Sequence, residues 1–375
     1  MSKQSEKLRG KKVAIVCDWL TNYAGAERVI SAISEIFPEA PIYTSVYNEE
    51  KMREFKDREV RQSFIGKLPF AKKKHQLYIS LMPYAFEGMN LDEYDIVISS
   101  SHACAKGIIT SPSTIHVCYC HSPMRYVWDG CHEYVKNYGW YRWPFKFLID
   151  RQLFGLRKWD RLAAERADHF IGNSKYVAER IKKYYGREAD VIYPSVDTDE
   201  FELSERSGDY YLAVGRLIPY KRFDLLVDTF NSLGLPLYIV GDGKEFATLK
   251  ERAADNVKLM GFVSEGELKN YYVGAKAFLF PQKEDFGIVP VEAMACGKPV
   301  IAYGEGGALE TIVDGKTGVL FEEQTVESLS KAVRKFEKMH DDEKFDPKVI
   351  RAHAETFSKE RFQDELKKYL EELIS

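Results

Sequence analysis

Two carboxylates, Glu284 and Glu292, stand in the run PQKEDFGIVPVEAMACGKPVIAYGEGGALETI, Pro281 to Ile312. Glu292 interrupts the apolar stretch IVPVEAMA, where packing alone gives no reason for a charge. Pro290 suits the first turn of a helix and Gly297 its end, which predicts a helix from near Gly287 to Gly297. Glu284 then lies in the loop ahead of the helix. Glu292 lies about one and a half turns inside it, and its side chain leans back toward the N-terminus. At about 1.5 Å per helical residue plus the loop, the pair spans ~10 Å. That distance suits two hydroxyl-bearing groups with a diphosphate between them. It does not suit two carboxylates on one bond, which retaining glycosidases hold ~5 Å apart. The first N–H groups of the helix, at Phe286, Gly287 and Ile288, add donors for sugar oxygens.

The cations that a diphosphate would need occur in LAVGRLIPYKRFDLL, Leu212 to Leu226, which reads as strand, loop and helix. Gly215 ends the strand, Arg216 follows at its carboxyl end, and Lys221 and Arg222 precede the helix. Helix N-termini attract anions, and nearby cations strengthen that attraction. Arginine grips phosphate oxygens in pairs, whereas lysine acts as a point charge. A solvated basic loop is the alternative reading of this stretch alone.

These residues must be positioned by a frame, and the frame is legible as an alternation. KKVAIVCDWL, PIYTSVY, DIVISSS, STIHVCYCH, HFIGNS and ADVIYPS read as strands, with helical stretches such as GAERVISAISEIF and SKYVAERIKKYYG among them. After the turn-rich connector YPSVDTDEFELSERSGD the alternation restarts with DYYLAVGRL, LPLYIVGD, VKLMGF, KAFLFPQ and KPVIAYG. This predicts an α/β chain of two tandem doubly wound domains, with ligands at the carboxyl ends of the strands and in the cleft between domains. The expected division is 1–200, 201–356 and a C-terminal segment 357–375. That last segment is an amphipathic helix, expected to cross back and pack toward the N-terminal domain, whose stripe is Phe362, Leu366, Tyr369, Leu370, Leu373 and Ile374.

Bulk properties agree. A length of 375 residues exceeds one ordinary core, and a net charge of −3 gives no field for nucleic acid. The polar, basic start MSKQSEKLRGKK does not read as a signal peptide, and no apolar run reaches membrane-helix length. Six cysteines in such a chain read as reduced thiols, so a cytoplasmic location is expected. Four partial motifs are set aside. In HVCYCH, His116 and Cys120 are ~13 Å apart on a strand, so these two and Cys118 cannot all reach one zinc. His121, Cys131 and His132 could complete a site with one cysteine, but buried thiols in a strand are the favoured reading. DGKT (Asp314 to Thr317) lacks the upstream glycine of a phosphate loop, and the acidic pair in DTD (Asp197 to Asp199) sits among turn formers. GEGGAL has the wrong spacing for a dinucleotide fold.

Glu284 to Glu292 resembles the E-x7-E motif of the family 4 glycosyltransferases, which have the GT-B fold. GRLIPYKRFD, VGDG, GFV, EDFGIVPVEAMACGKPVIA and GGALETI match that family in order, and the resemblance covers essentially the whole chain. GAERVI, YDIVISSSHACAKG, CYCHSPMRYVWD and YGREADVIYPSVD are similar to mannosyltransferases that assemble polysaccharides and lipid-linked glycans. The resemblance implies a retaining enzyme that moves an α-mannosyl group from GDP-mannose to an acceptor hydroxyl, without a metal or other cofactor. A UDP-sugar enzyme of the same family, or a non-catalytic scaffold of a glycan-assembly complex, is the alternative.

It also implies roles. Glu292 holds the ribose hydroxyls and Glu284 those of the donor sugar, helped by Asp285 and by the backbone of Phe286, Gly287 and Ile288. Arg216 and Lys221 take the diphosphate. His121, at the carboxyl end of its strand, faces the reacting sugar. Gly25, in the first βα turn, lets backbone approach the phosphates or the acceptor, although Ala24 stands where the family often has a second glycine. LPFAKKKHQLY (Leu68 to Tyr78) and the tryptophan-rich stretch Tyr138 to Trp159 mix basic and aromatic residues, as a peripheral contact with anionic lipid requires. Ordinary packing of aromatic helices is the other reading.

Overall fold

The structure, a computed structural model, describes residues 7–131 and 146–374. It divides into two units, Met1–Ser195 with Phe362–Ser375, and Val196–Arg361. In the first unit seven strands form one parallel sheet: β1 (Val13–Cys17), β2 (Ile42–Thr44), β3 (Val60–Gln62), β4 (Ile96–Ser101), β5 (Ile115–Cys120), β6 (His169–Gly172) and β7 (Asp190–Val191). Their order is β3-β2-β1-β4-β5-β6-β7. The central strands are buried along nearly their whole length, serines of β4 and His116 of β5 included, because helices cover both faces. The order reverses between β1 and β4, which is the switch point where ligands of such sheets sit.

The second unit repeats the plan with six parallel strands: β8 (Tyr210–Val214), β9 (Leu237–Val240), β10 (Val257–Gly261), β11 (Ala275–Phe280), β12 (Val300–Tyr303) and β13 (Gly318–Phe321). The order β10-β9-β8-β11-β12-β13 places its switch point between β8 and β11. The expected two doubly wound sheets are therefore present. The helix Lys359–Leu373 buries Phe362, Leu366 and Leu370 in one cluster with Val13, Ile15 and Ile33 of the first unit. Tyr369, Leu373 and Ile374 pack against the same cluster, so the whole predicted stripe is used.

The first unit also buries an ion pair. Lys106, in the short turn after β4, meets Asp160 of the helix Lys146–Ala163, and both side chains are almost inaccessible. Trp128 Nε1 (2.7 Å) and the Tyr185 hydroxyl (2.9 Å) donate to the other carboxylate oxygen. Lys106 Nζ also donates to the Ala103 carbonyl at 2.7 Å. Burial alone would lower the ammonium's pKa, but the Asp160 carboxylate outweighs it and the net shift is upward.

Candidate functional site

In the second unit the loops after β8 and β11 flank the switch point. Gly215 directly follows β8, and Arg216 behind it is exposed, with no side-chain partner among the described residues. A Cβ on Gly241, at the end of β9, would stand 1.9 Å from the Gly215 carbonyl oxygen. Bare backbone is thus required where these strand ends meet. Lys221 closes the turn Pro219–Lys221. Its ammonium lies 3.1 Å from Glu284 Oε1, and both side chains are mostly shielded from solvent. Arg222 has φ +55° and caps the helix Phe223–Leu233, with its Nε held 3.1 Å from Asp224 Oδ1. Of the three cations in this loop, Arg222 is thus spent locally, Lys221 is paired with Glu284, and Arg216 is open to solvent.

The loop carrying Glu284 is held by backbone. Gly307 N donates to the Glu284 carbonyl at 2.9 Å. A Cβ on Gly306 would come within 2.4 Å of that oxygen, and one on Gly307 within 2.3 Å of Phe286 Cα. The last two glycines of GEGGAL, a motif that fails as a nucleotide fingerprint, form the cradle for this loop. Phe286 is buried, its ring edge-on to Phe357 at 5.5 Å. Asp285 beside it is half-buried. Gly287, at φ +92°, caps the helix Ile288–Ala295, and Gly297, at φ +75°, follows its end. The helix predicted from Pro290 and Gly297 is present at the expected place. Glu292 is buried in it and accepts a 2.9 Å hydrogen bond from the Tyr272 hydroxyl.

In the first unit, His121 directly follows β5 and shares a 2.7 Å hydrogen bond between its Nε2 and Ser100 Oγ. Burial, with His102 adding to it, lowers its pKa to about 3, so the ring is neutral near pH 7. Gly25 is the first residue of the helix Gly25–Ile36 and does not have a positive φ. Ala24 ahead of it is extended, at φ −147° and ψ −162°, a conformation open to any residue. The departure from a double glycine therefore costs no strain here. Residues 116–120 of HVCYCH lie in β5, with Cys118 and Cys120 buried against Ala164 and Phe170. His132 and residues 138–145 lie outside the described residues. Among the described residues no three His, Cys, Asp or Glu side chains are grouped to hold a metal ion.

The model for Glycosyltransferase Family 4 matches residues 23–200, and that for glycosyl transferases group 1 matches residues 196–353. Between them the two span nearly the whole chain. The chain belongs to the family 4 glycosyltransferases. An uncharacterized glycosyltransferase of Methanocaldococcus jannaschii is 31% identical over 180 residues, covering 46% of this chain and 50% of the relative. The GDP-mannose-dependent alpha-(1-6)-phosphatidylinositol monomannoside mannosyltransferase of Mycobacterium tuberculosis is 34% identical over 192 residues, 43% of this chain and 50% of the relative. The chain spans about half the length of these curated relatives. The crystal structure of Anabaena HepE with UDP-glucose superposes with a TM-score of 0.70 over 96% of this chain and 99% of that one, at 18% identity. That likeness establishes the shared GT-B fold.

Several residues of this family 4 glycosyltransferase escape sequence reasoning. Tyr272, the partner of Glu292, lies on the preceding helix Glu265–Val273 and carries no local signal. Asp18, immediately after β1, is buried and accepts four backbone N–H groups, from His102, Ala103, Cys104 and Ala105, at 2.6–2.9 Å. The charge ending CD after an apolar strand was its one visible trace. Glu27 is buried in the first turn of its helix, accepting the Ala24 N–H at 3.1 Å. Burial raises its pKa from 4.5 to about 7, with backbone hydrogen bonds opposing and Asp18 adding to the rise. A folded-state pKa above the unfolded one means that its contribution is fully present below pH 4.5 and is lost as pH rises through about 7. Glu27→Gln is accordingly expected to melt several degrees higher than the parent at pH 8 and level with it at pH 4, in paired thermal scans.

Proposed function

We propose that the protein transfers an α-mannosyl group from GDP-mannose to a hydroxyl of a lipid-linked or polysaccharide acceptor, with retention of configuration. The observation that carries this reading is the meeting of Lys221 and Glu284 at the switch point of the second unit, with Glu292 on the next helix. A carboxylate that accepts sugar hydroxyls stands beside a cation that can hold phosphate, and a second carboxylate stands where ribose hydroxyls would lie. Mannose and guanine are supported by the 34% identical mycobacterial relative, whose name carries both.

As the bond from sugar to oxygen breaks, negative charge grows on the leaving diphosphate. Arg216 and Lys221 stabilise it, together with the N-terminus of the helix Ile288–Ala295. Two fixed cations do the work that a divalent ion does elsewhere. The acceptor proton passes to the leaving phosphate oxygen on the same face of the sugar, so no separate strong base is needed. His121, being neutral, orients the sugar rather than neutralising charge.

The test is a thermal-shift panel with GDP, UDP and ADP and their common sugars, in EDTA. A ligand at ~100 times its Kd stabilises a fold by about 2.7 kcal/mol. Selective stabilisation by GDP and GDP-mannose is expected. A response to a uridine donor instead would replace mannose and keep the site, and silence with all of them would bring the scaffold reading forward.

The acceptor side includes a peripheral contact with anionic membrane. No helix among the described residues is long and apolar enough to cross a membrane. Instead the first unit exposes Phe70 (73%), Tyr84 (69%), Phe147 (71%) and Leu162 (64%), and Lys72, Lys73 and Lys74 are exposed as well. Leu68 and Tyr78 from one stretch, and Leu153 and Trp159 from the other, pack on one core cluster. This arrangement leaves apolar and basic side chains outward for an interface. Co-sedimentation with vesicles containing phosphatidylglycerol is expected to exceed that with neutral vesicles, and equal recovery would count against the contact.

A further inference from the structure

The switch point of the first unit lies between β1 and β4, and the N–H groups of His102, Ala103, Cys104 and Ala105 gather there as they would around a bound anion. The Asp18 carboxylate already occupies that place, its two oxygens taking two N–H groups each. The first unit thus carries its own anion where a doubly wound domain would take a phosphate. What this frame leaves for a ligand is His102. Its Nδ1 is 3.2 Å from Asp18 Oδ2, and its backbone N–H donates to the same oxygen. The ring packs edge-on to Trp19 at 4.6 Å and lies 6.3 Å from the His121 ring.

The side chain is 29% accessible, and its Nε2 makes no hydrogen bond among the described residues. A carboxylate at Nδ1 keeps the proton on that nitrogen and leaves Nε2 as an acceptor. Its neighbours are committed otherwise. His121 Nε2 is engaged by Ser100, and His75 is pressed on Trp19 at 4.4 Å in a buried position.

We propose that His102 Nε2 accepts the hydrogen bond of the acceptor's attacking hydroxyl, and that Asp18 is the positioning residue that sets the tautomer and orientation of the ring. This rests on the glycosyl-transfer reading above. No proton changes owner at His102. The hydrogen bond directs an oxygen lone pair of the hydroxyl toward the sugar carbon, and the proton leaves with the diphosphate.

Two amide replacements separate the ring nitrogens. His102→Asn keeps a donor near Nδ1 and removes Nε2, whereas His102→Gln places an amide oxygen near Nε2. The readout is GDP release from GDP-mannose, with octyl α-D-mannoside as the acceptor probe, alongside GDP affinity and melting temperature. His102→Asn is expected to lower kcat about 100-fold with GDP affinity and melting temperature unchanged. His102→Gln is expected to recover about tenfold of that loss. Asp18→Asn also sets an amide NH2 against two of the backbone N–H groups, so it is compared at equal folded fraction, where it is expected to lower kcat as His102→Asn does, with no further loss in the double variant. Folded His102→Asn turning over like the parent, or folded His102→Gln no better than His102→Asn, overturns the proposal alone. A parent protein that releases no nucleotide from GDP-mannose or from UDP- and ADP-sugars overturns the transfer reading, and this proposal with it.

Discussion

Glu292→Ala is expected to bind free GDP about 100-fold more weakly, a loss of about 2.7 kcal/mol, while Glu284→Ala binds it as the parent does. The asymmetry follows from position. Glu292 is buried in the first turns of the helix after β11, where a carboxylate can accept from two ribose hydroxyls, each charged hydrogen bond contributing ~1.5–3 kcal/mol. Glu284 sits in the loop before that helix, against Lys221, and is the residue proposed to hold the donor sugar. Its removal deprives the sugar of an acceptor and Lys221 of its partner, so GDP-mannose turnover falls on the order of 1000-fold with little change for free nucleotide. Titration calorimetry with GDP and with GDP-mannose, followed by kinetics, checks both halves. Glu292→Gln separates charge from shape, because an amide can still accept from the Tyr272 hydroxyl. Full GDP affinity in Glu292→Ala would remove the ribose assignment and return Glu292 to a structural role.

The second large effect concerns stability. Asp160→Ala is expected to cost about 3–5 kcal/mol, read by urea denaturation. The substitution leaves the Lys106 ammonium buried without its counter-charge and takes the acceptor from Trp128 Nε1 and the Tyr185 hydroxyl together. A melting-temperature fall on the order of 10 °C should accompany it. Lys106→Met combined with Asp160→Leu should recover the part of the loss that comes from the unpaired ammonium, while the part from Trp128 Nε1 and the Tyr185 hydroxyl, still without an acceptor, remains. A single Asp160→Ala variant within ~1 kcal/mol of the parent would mean that water reaches this pair in solution.

The parts of the molecule that the sequence determined are those set by short-range chemistry. Buried parallel strands announce themselves as apolar runs, and the helix Ile288–Ala295 is delimited by Pro290 and by glycines that must adopt positive φ. The apolar stripe of Lys359–Leu373 required burial, which it finds in the first unit. Short polar β3 is different, because its three residues are half-buried or exposed and show no apolar run to read.

Tertiary structure decided what those pieces meet. Asp18 takes N–H groups from residues 84 to 87 positions downstream because β1 and β4 are neighbours in the sheet. Lys221 reaches Glu284 because β8 and β11 adjoin, and Lys106 finds Asp160 across a helix packed over the sheet. GEGGAL reads as a failed nucleotide motif until the backbone of Glu284 and Phe286 is seen against Gly306 and Gly307. Alternating strands and helices specify which segments are buried, but many strand orders satisfy the same alternation. The contacts that build the site depend on the one order that the packed sheet selects.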